Sequence, residues 1–370
     1  MASFKSSRAI RWAAPVGAIA VVGAAVGAGP VIAAARGNPS LPPKTAAQLL
    51  AAVTQLQKTQ SPPSLSGTVV ESASLGLPAL PGAGSGTSPV SLLSGSHTAR
   101  VWFGDPQHAR LALLDTGSET DYIVNGADTW QWDSAKNTAT HSRSTRKQDQ
   151  KPDAKPSGTP LTPQQAADKA LAAVGKTTTV SVDPTGRVAG RDAYELVLSP
   201  KDNRSLIGQV RLALDGKTYV PLRVQVYARG ANSPAAQIGF TSVTFTKPAA
   251  ANFAFKPPSG AKVVEQKAGA AEKATPDTTK QAAGKPSAGQ QTIGSGWTAV
   301  ERLSMPQNAQ GKDKSGTIAT LQKAATPVSG SWGSGRVLRT KLFSALLTDD
   351  GRVFVGAVTP DVLTQAAAHK

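Results

Sequence analysis

Short β-prone runs recur between Thr98 and His141, each closed by turn residues, and this even spacing restricts the chain to an antiparallel meander. The runs are Thr98–Phe103, His108–Leu114, Thr120–Val124, Thr129–Trp132 and Thr138–His141, with Gly104-Asp105-Pro106, Asp115-Thr116-Gly117 and Asn125-Gly126 between them. Asn-Gly is a strong hairpin turn because both residues tolerate positive φ. Trp130 and Trp132 flank a single glutamine, so in a strand both indoles point to one face. Val101 with Phe103, Leu111 with Leu113 and, later, Leu212 with Leu214 repeat this alternation. A second set of strands is expected over Thr178–Val182, Val188–Leu198, Leu206–Leu214, Val220–Tyr227 and Gln237–Phe245, with turns at Pro184-Thr185-Gly186 and Asp215-Gly216-Lys217.

Two helices accompany the strands. Thr45 followed by Gln48 fits a capping box, and Leu49, Leu50, Val53 and Leu56 form an apolar stripe at helical spacing. Thr162, Pro163 and Gln165 open a second helix that Gly175 stops. The segment 76–94 reads as a loop rich in Gly, Pro and Ser that still carries leucines, and 142–160 as a polar, basic loop.

Residues 1–36 have the plan of an export segment. Lys5, Arg8 and Arg11 precede an uncharged run from Trp12 to Ala35, with Ala33-Ala34-Ala35 as a cleavage point. The run is also long enough to span a bilayer, so the segment is either a cleaved signal or a retained anchor; both deliver the remainder outside the cytoplasm. Residues 259–293 are poor in large apolar side chains and read as a disordered linker. A small module follows over 294–370, with a strand at Trp297–Leu303, a helix at Thr317–Ala324, a hairpin of Val337–Leu347 with Arg352–Val358, and a final helix opened by Thr359-Pro360. The fold class is therefore α+β, mostly antiparallel β: a large sheet over 44–258 covered by helices, then a small C-terminal α+β module.

The chemistry is sparse. Cysteine is absent from the 370 residues, which removes disulfides, thiol nucleophiles, cysteine-ligated metals and a lipid-anchoring cysteine together. The histidines are His97, His108, His141 and His369, and none stands in HExxH spacing. No GxSxG elbow occurs. Gly175-Lys176-Thr177 and Gly216-Lys217-Thr218 echo a phosphate loop, but its first glycine is Ala170 in one and Arg211 in the other. Paired carboxylates need only meet in space, so spacing is silent on them. The inventory points away from an enzyme and implies no catalytic residue, metal or cofactor. The formal net charge of +17 favours anionic surfaces such as a membrane. No segment interleaves basic and aromatic residues, so nucleic acid is not an expected partner.

What remains is a wide apolar sheet face. If the helices close incompletely over a curved sheet, a cavity is left for acyl chains, each methylene contributing about 0.8 kcal/mol. Val101, Phe103, Leu111, Leu113, Trp130, Trp132 and Leu212 are expected to line it, with Leu50 and Val53 on the lid.

The order helix, meander, Thr129-Trp130-Gln131-Trp132-Asp133, second helix, then Asp215-Gly216-Lys217-Thr218 with Pro221-Leu222-Arg223, resembles the LolA-like periplasmic lipoprotein carriers and the related RseB-type sigma-factor regulators. The resemblance covers Thr45 to about Pro258 and is also similar to exported members from high-GC Gram-positive bacteria. It implies a curved antiparallel half-barrel with a helical lid around an acyl cavity, and as partner a lipid or acylated protein. The regulatory relatives imply the alternative: a scaffold that binds another envelope protein, with the C-terminal module as a second contact. The loop 76–94 and the terminal module depart from the short carrier pattern.

Overall fold

The computed structural model describes residues 41–59, 63–78, 91–144, 175–266, 291–304 and 317–369. The expected export segment, the helix expected from Thr162 and most of the loops at 76–94 and 142–160 lie outside the described residues. Among the described residues no helix is long and apolar enough to cross a membrane.

Helix α1 spans Ala46–Thr59. Its capping box forms reciprocally: Thr45 N donates to Gln48 Oε1 (3.0 Å) and Gln48 N to Thr45 Oγ1 (3.2 Å). The inward stripe of Leu49, Leu50 and Val53 packs on Tyr194, Leu196 and Leu214 of the sheet.

That sheet has twelve strands. Strand β1 (Leu65–Ser74) comes first in the chain and sits in the middle. On one side lie β2 (Ser94–Asp105), β3 (His108–Asp115), β4 (Ser118–Asn125), β5 (Asp128–Asp133) and β6 (Thr138–Arg143). On the other lie β11 (Pro234–Thr244), β10 (Pro221–Ala228), β9 (Ile207–Asp215), β8 (Arg191–Pro200) and β7 (Thr178–Val188). β1 is antiparallel to both β2 and β11, so the two meanders share one keystone strand. The sheet is curved and open, and its two end strands do not meet.

Two boundaries differ from the sequence expectation. Pro184-Thr185-Gly186 does not reverse the chain; β7 runs through it with a register shift between Asp183 and Gly186. The reversal falls at Ala189-Gly190, where φ is 52° and 76°, the paired positive values of a tight hairpin. Lys262–Gln266, expected as linker, is strand β12, which adds parallel to β6. The chain reaches it across the back of the first meander, where Phe253 is buried and Phe255 lies 5.3 Å from the Trp130 ring. His141 clips β12 in place. Its Nδ1 faces Glu265 Oε2 and its Nε2 faces Asp128 Oδ1, each at 2.9 Å, while Trp130 stacks on the ring at 4.2 Å. Burial lowers the His141 pKa, but the two carboxylates outweigh it and hold the ring above its usual value.

The β9–β10 turn explains the Asp215-Gly216-Lys217-Thr218 motif. Asp215 is fully buried and accepts from the backbone N–H of Lys217 and Thr218, from Thr218 Oγ1 and from the Arg191 guanidinium. Arg191 in turn stacks on Phe245, so one carboxylate ties β8, the turn and the end of β11 together. Burial raises its pKa, yet these donors prevail and hold it below the usual carboxylate range.

The C-terminal module has its own six-stranded antiparallel sheet: β13 (Gln291–Ile293), β14 (Val300–Ser304), β15 (Thr326–Gly330), β16 (Gly333–Arg339), β17 (Ser344–Thr348) and β18 (Arg352–Gly356). Helices α2 (Thr317–Ala324) and α3 (Pro360–Ala368) complete it, and Val300, Val337, Leu346, Phe354, Val358 and Leu363 form its core. Trp297, expected at the start of a strand, lies in a 3-10 turn before β14. The run Val337–Leu347, expected as one strand, is broken by a turn at Thr340–Phe343, where Thr340 Oγ1 accepts from the N–H of Leu342 and Phe343. The module is docked on the large sheet. Lys341 N donates to Leu75 O (2.8 Å), Leu206 N to Ala357 O (2.9 Å) and Thr359 N to Arg204 O (2.9 Å). Trp297 Nε1 donates to Thr178 Oγ1 at 2.7 Å.

Asp215→Ala should destabilise the protein by about 2–4 kcal/mol, because it leaves a half-buried guanidinium and three turn donors without their acceptor. Urea unfolding followed by circular dichroism checks this.

Candidate functional site

Cross-strand partners share a face, and residues two apart on a strand share it too. From these rules one continuous apolar row crosses the sheet. Val182 pairs with Leu196, Leu196 with Leu212, Leu212 with Val224, Val224 with Ile238, and Ile238 with Glu71. A parallel row runs Val180, Leu198, Val210, Val226, Ala236 and Ala73. Helix α1 covers one end, at Leu196 and Leu214. The module covers the centre with Trp297, Leu342, Phe343 and Ala357, packed against Leu198, Ile207, Val210, Val226 and Ala236.

The same rules place the residues expected to line the cavity. Leu50 is buried, and Val53 and Leu212 pack into one cluster with it. Leu212 also touches the central cluster and so joins the two. Val101, Phe103, Leu111 and Leu113 fall on this face as well, through the pairs Gly67–Val101, Leu65–Phe103, Val101–Leu111 and Ala99–Leu113. They lie farther along the sheet; Leu111 and Leu113 pack with Ala99 as a separate small cluster. Trp130 and Trp132 are on the opposite face. Trp130 pairs with Ile123 and Trp132 with Asp121, whereas the residue sharing the face of Leu111 is Tyr122. The two indoles pack against Phe255 on the back of the sheet and do not line the same surface as the others.

Sequence reasoning missed the polar end of the first row. Glu71 is 6% exposed and His97, its cross-strand partner on β2, is 7% exposed. Both carry a buried atom with no hydrogen-bond partner, Glu71 Oε2 and His97 Nδ1. His97 Nε2 lies 2.9 Å from Ser91 O and 3.1 Å from Ser94 O. Carbonyl oxygens only accept, so Nε2 carries hydrogen and the lone pair of the neutral ring sits on Nδ1. Burial pushes the Glu71 pKa up to about 8, so its carboxyl is mostly protonated at neutral pH. One signal was present in the sequence: in Val69-Val70-Glu71-Ser72-Ala73 the glutamate shares parity with Val69 and Ala73, the residues that face the core. Among the described residues no group of three or more His, Asp or Glu is arranged to hold a metal ion.

Two meanders around a shared strand, with an apolar face under a helix and a second module, make an open, curved, strand-rich α+β domain of the half-barrel class. Residues 92–262, less than half of the chain, match the family model of the MucB/RseB N-terminal domain. No curated protein is detectably similar to the chain. Solved structures with some likeness include the MucA/MucB complex of Pseudomonas aeruginosa, 16% identical, TM-score 0.42, covering 86% of this chain and 96% of that one. An uncharacterized conserved protein from Thermus thermophilus is 13% identical, TM-score 0.32, covering 58% and 97%. The Mycobacterium tuberculosis lipoprotein LppX is 11% identical, TM-score 0.26, covering 52% and 92%.

Glu71→Gln should stabilise the protein in a pH-dependent way. The unfolded carboxyl releases its proton near 4.5 and the folded one near 8, so between those values the folded state holds the extra proton. Stability therefore falls as pH rises through that window, by roughly 3 kcal/mol at about pH 7. The neutral amide escapes this loss. Its thermal midpoint should exceed that of the parent at about pH 8, and the gain should vanish at about pH 4.

Proposed function

We propose that this is an exported, non-catalytic binding protein of the cell envelope that holds acyl chains, of a lipid or an acylated protein, on the apolar face between α1 and the C-terminal module. The observation that carries the reading is the unbroken apolar row from Val182 to Ile238, which ends on a carboxyl lacking a partner. Burial of acyl methylenes there needs no polar chemistry, at about 0.8 kcal/mol each. The basic start and uncharged run of residues 1–36 support delivery outside the cytoplasm, as cleaved signal or anchor. The positive net charge draws the protein to anionic lipid surfaces, from which such a ligand is taken. Val101, Phe103, Leu111 and Leu113 extend the apolar surface past β1; Trp130 and Trp132 do not belong to it.

The test uses the opposed placement of the tryptophans. Trp297 borders the face, while Trp102, Trp130 and Trp132 lie on or toward the back. A brominated fatty acid should quench the emission of the intact protein, and Trp297→Phe should remove at least half of that quench. Equal quenching in both proteins would place the ligand elsewhere.

A second reading rests on the docked module. The face already accepts a polypeptide, through Leu342, Phe343 and Trp297, so an envelope protein partner is the alternative occupant. Pull-downs from envelope extract should then give different partners for the full chain and for a chain lacking residues 294–370. Identical partners would end a docking role for the module.

A further inference from the structure

Glu71 and His97 form a buried polar pair at the end of the apolar row that crosses β7 to β11. Their Cα positions are paired across β1 and β2, and both side chains are more than nine-tenths buried. Each presents one atom, Glu71 Oε2 and His97 Nδ1, that has no hydrogen-bond partner among the described residues. An unsatisfied buried polar atom is destabilising, so two side by side mark a place that a ligand's polar group can satisfy. Ala73 and Gly95 are the small neighbours in the row on one side, Val69 and Ala99 stand in the row on the other, and Ile238 faces Glu71 from β11.

We propose that Glu71 and His97 form a polar subsite for an uncharged hydroxyl or secondary amide adjoining the acyl chains of the bound ligand. This rests on the acyl-binding reading above. The two groups are complementary in kind: a protonated carboxyl donates, and the His97 Nδ1 lone pair accepts. A hydroxyl or secondary amide answers both at once, an ester answers only the donor, and a hydrocarbon answers neither. The elevated Glu71 pKa is consistent with a carboxyl kept in its donor form at neutral pH. A phosphate is disfavoured because neither row across the face contains a lysine or arginine.

Displacement of a fluorescent fatty-acyl probe from the full chain tests this with three competitors of equal chain length: 1-decanoylglycerol, methyl decanoate and decyl phosphate. Glu71→Leu should cut the preference for decanoylglycerol over methyl decanoate by tenfold or more, whereas Glu71→Gln, which keeps a donor, should retain it. Decyl phosphate should be the weakest competitor of the intact protein. An unchanged preference in Glu71→Leu overturns the subsite and leaves the acyl face standing. A chain that binds neither the probe nor any competitor overturns both. If Glu71→Leu does not fold, infrared difference spectra of the parent decide. Decanoylglycerol should shift the protonated carboxyl band, and Glu71→Gln should lack that shift; an unshifted band means water alone serves the site.

Discussion

Hydrogen bonding on both edges of β1 is what makes one sheet of two meanders. The chain lays β1 down first, builds β2–β6 away from one edge, and returns through β7–β11 to the other. β11 closes on β1 some 170 residues after β1 was made, a long loop whose closure entropy must be recovered by pairing and burial. The contact is demanding in detail. The register shifts between Thr68 and Val69, and at Gly67 a Cβ would lie 2.4 Å from Ser242 O and 2.9 Å from the Phe240 ring. Only glycine lets the two backbones meet there. The strand with this steric demand is also the one that carries Glu71, so the keystone of the fold bears a buried carboxyl oxygen without a partner among the described residues.

That coincidence has a physical consequence. An interior glutamate on a peripheral strand would find water by local fraying. On β1, held on both edges, it has no such escape, and the carboxyl adapts by keeping its proton. Compare Glu195, also buried but on the opposite face of β8. Arg223 approaches its Oε2 at 3.3 Å and Arg211 its Oε1 at 3.9 Å. The back of that half of the sheet is a charged network with Asp183 and the two arginines, while the front is apolar. Two glutamates in one sheet thus meet opposite treatments, one compensated by guanidinium groups and one held in its protonated form by burial.

The meanders were readable because turn chemistry is local: Asp115-Thr116-Gly117 and Asn125-Gly126 reverse the chain where their residues favour it, with Gly117 and Gly126 at positive φ. The capping box at Thr45 and Gln48 was readable for the same reason. What could not be read was which face each strand presents, because alternation gives parity within a strand and leaves the match between strands to register. Trp130 and Trp132 do share a face, but the pairing of β4 with β5 assigns them to the side of Ile123, where the chain from Phe253 to Phe255 covers them. Pro184 misled in the other direction. A proline suggests a turn, yet at an edge strand a missing N–H removes no ladder bond that a neighbour needs, and the strand continues with a bulge. β12 went unseen because Val263 and Val264 stand alone in a polar stretch; the strand owes its place to β6 and the His141 clip.

The covering of the apolar face sets the terms on which any ligand binds. The module keeps its own core of Val300, Leu346, Phe354 and Leu363 and spends other side chains, Trp297, Leu342 and Phe343, on the large sheet. Those side chains come from turns, not from the strands that make its core, so docking and folding of the module are separable in the contacts they use. Polar anchors frame the apolar contact: Trp297 Nε1 on Thr178, Lys341 on Ser74 and Leu75, and the main chain of 204–206 against 357–359. An acyl chain that enters along the row from Leu198 to Val226 exchanges its own contacts for those of the module. Its affinity is therefore a difference between two burials and not the whole of one. Under that condition hydrocarbon alone discriminates weakly, since module and ligand offer the same kind of surface. A group that answers Glu71 and His97 gives a ligand something that none of the module side chains packed on this face provides.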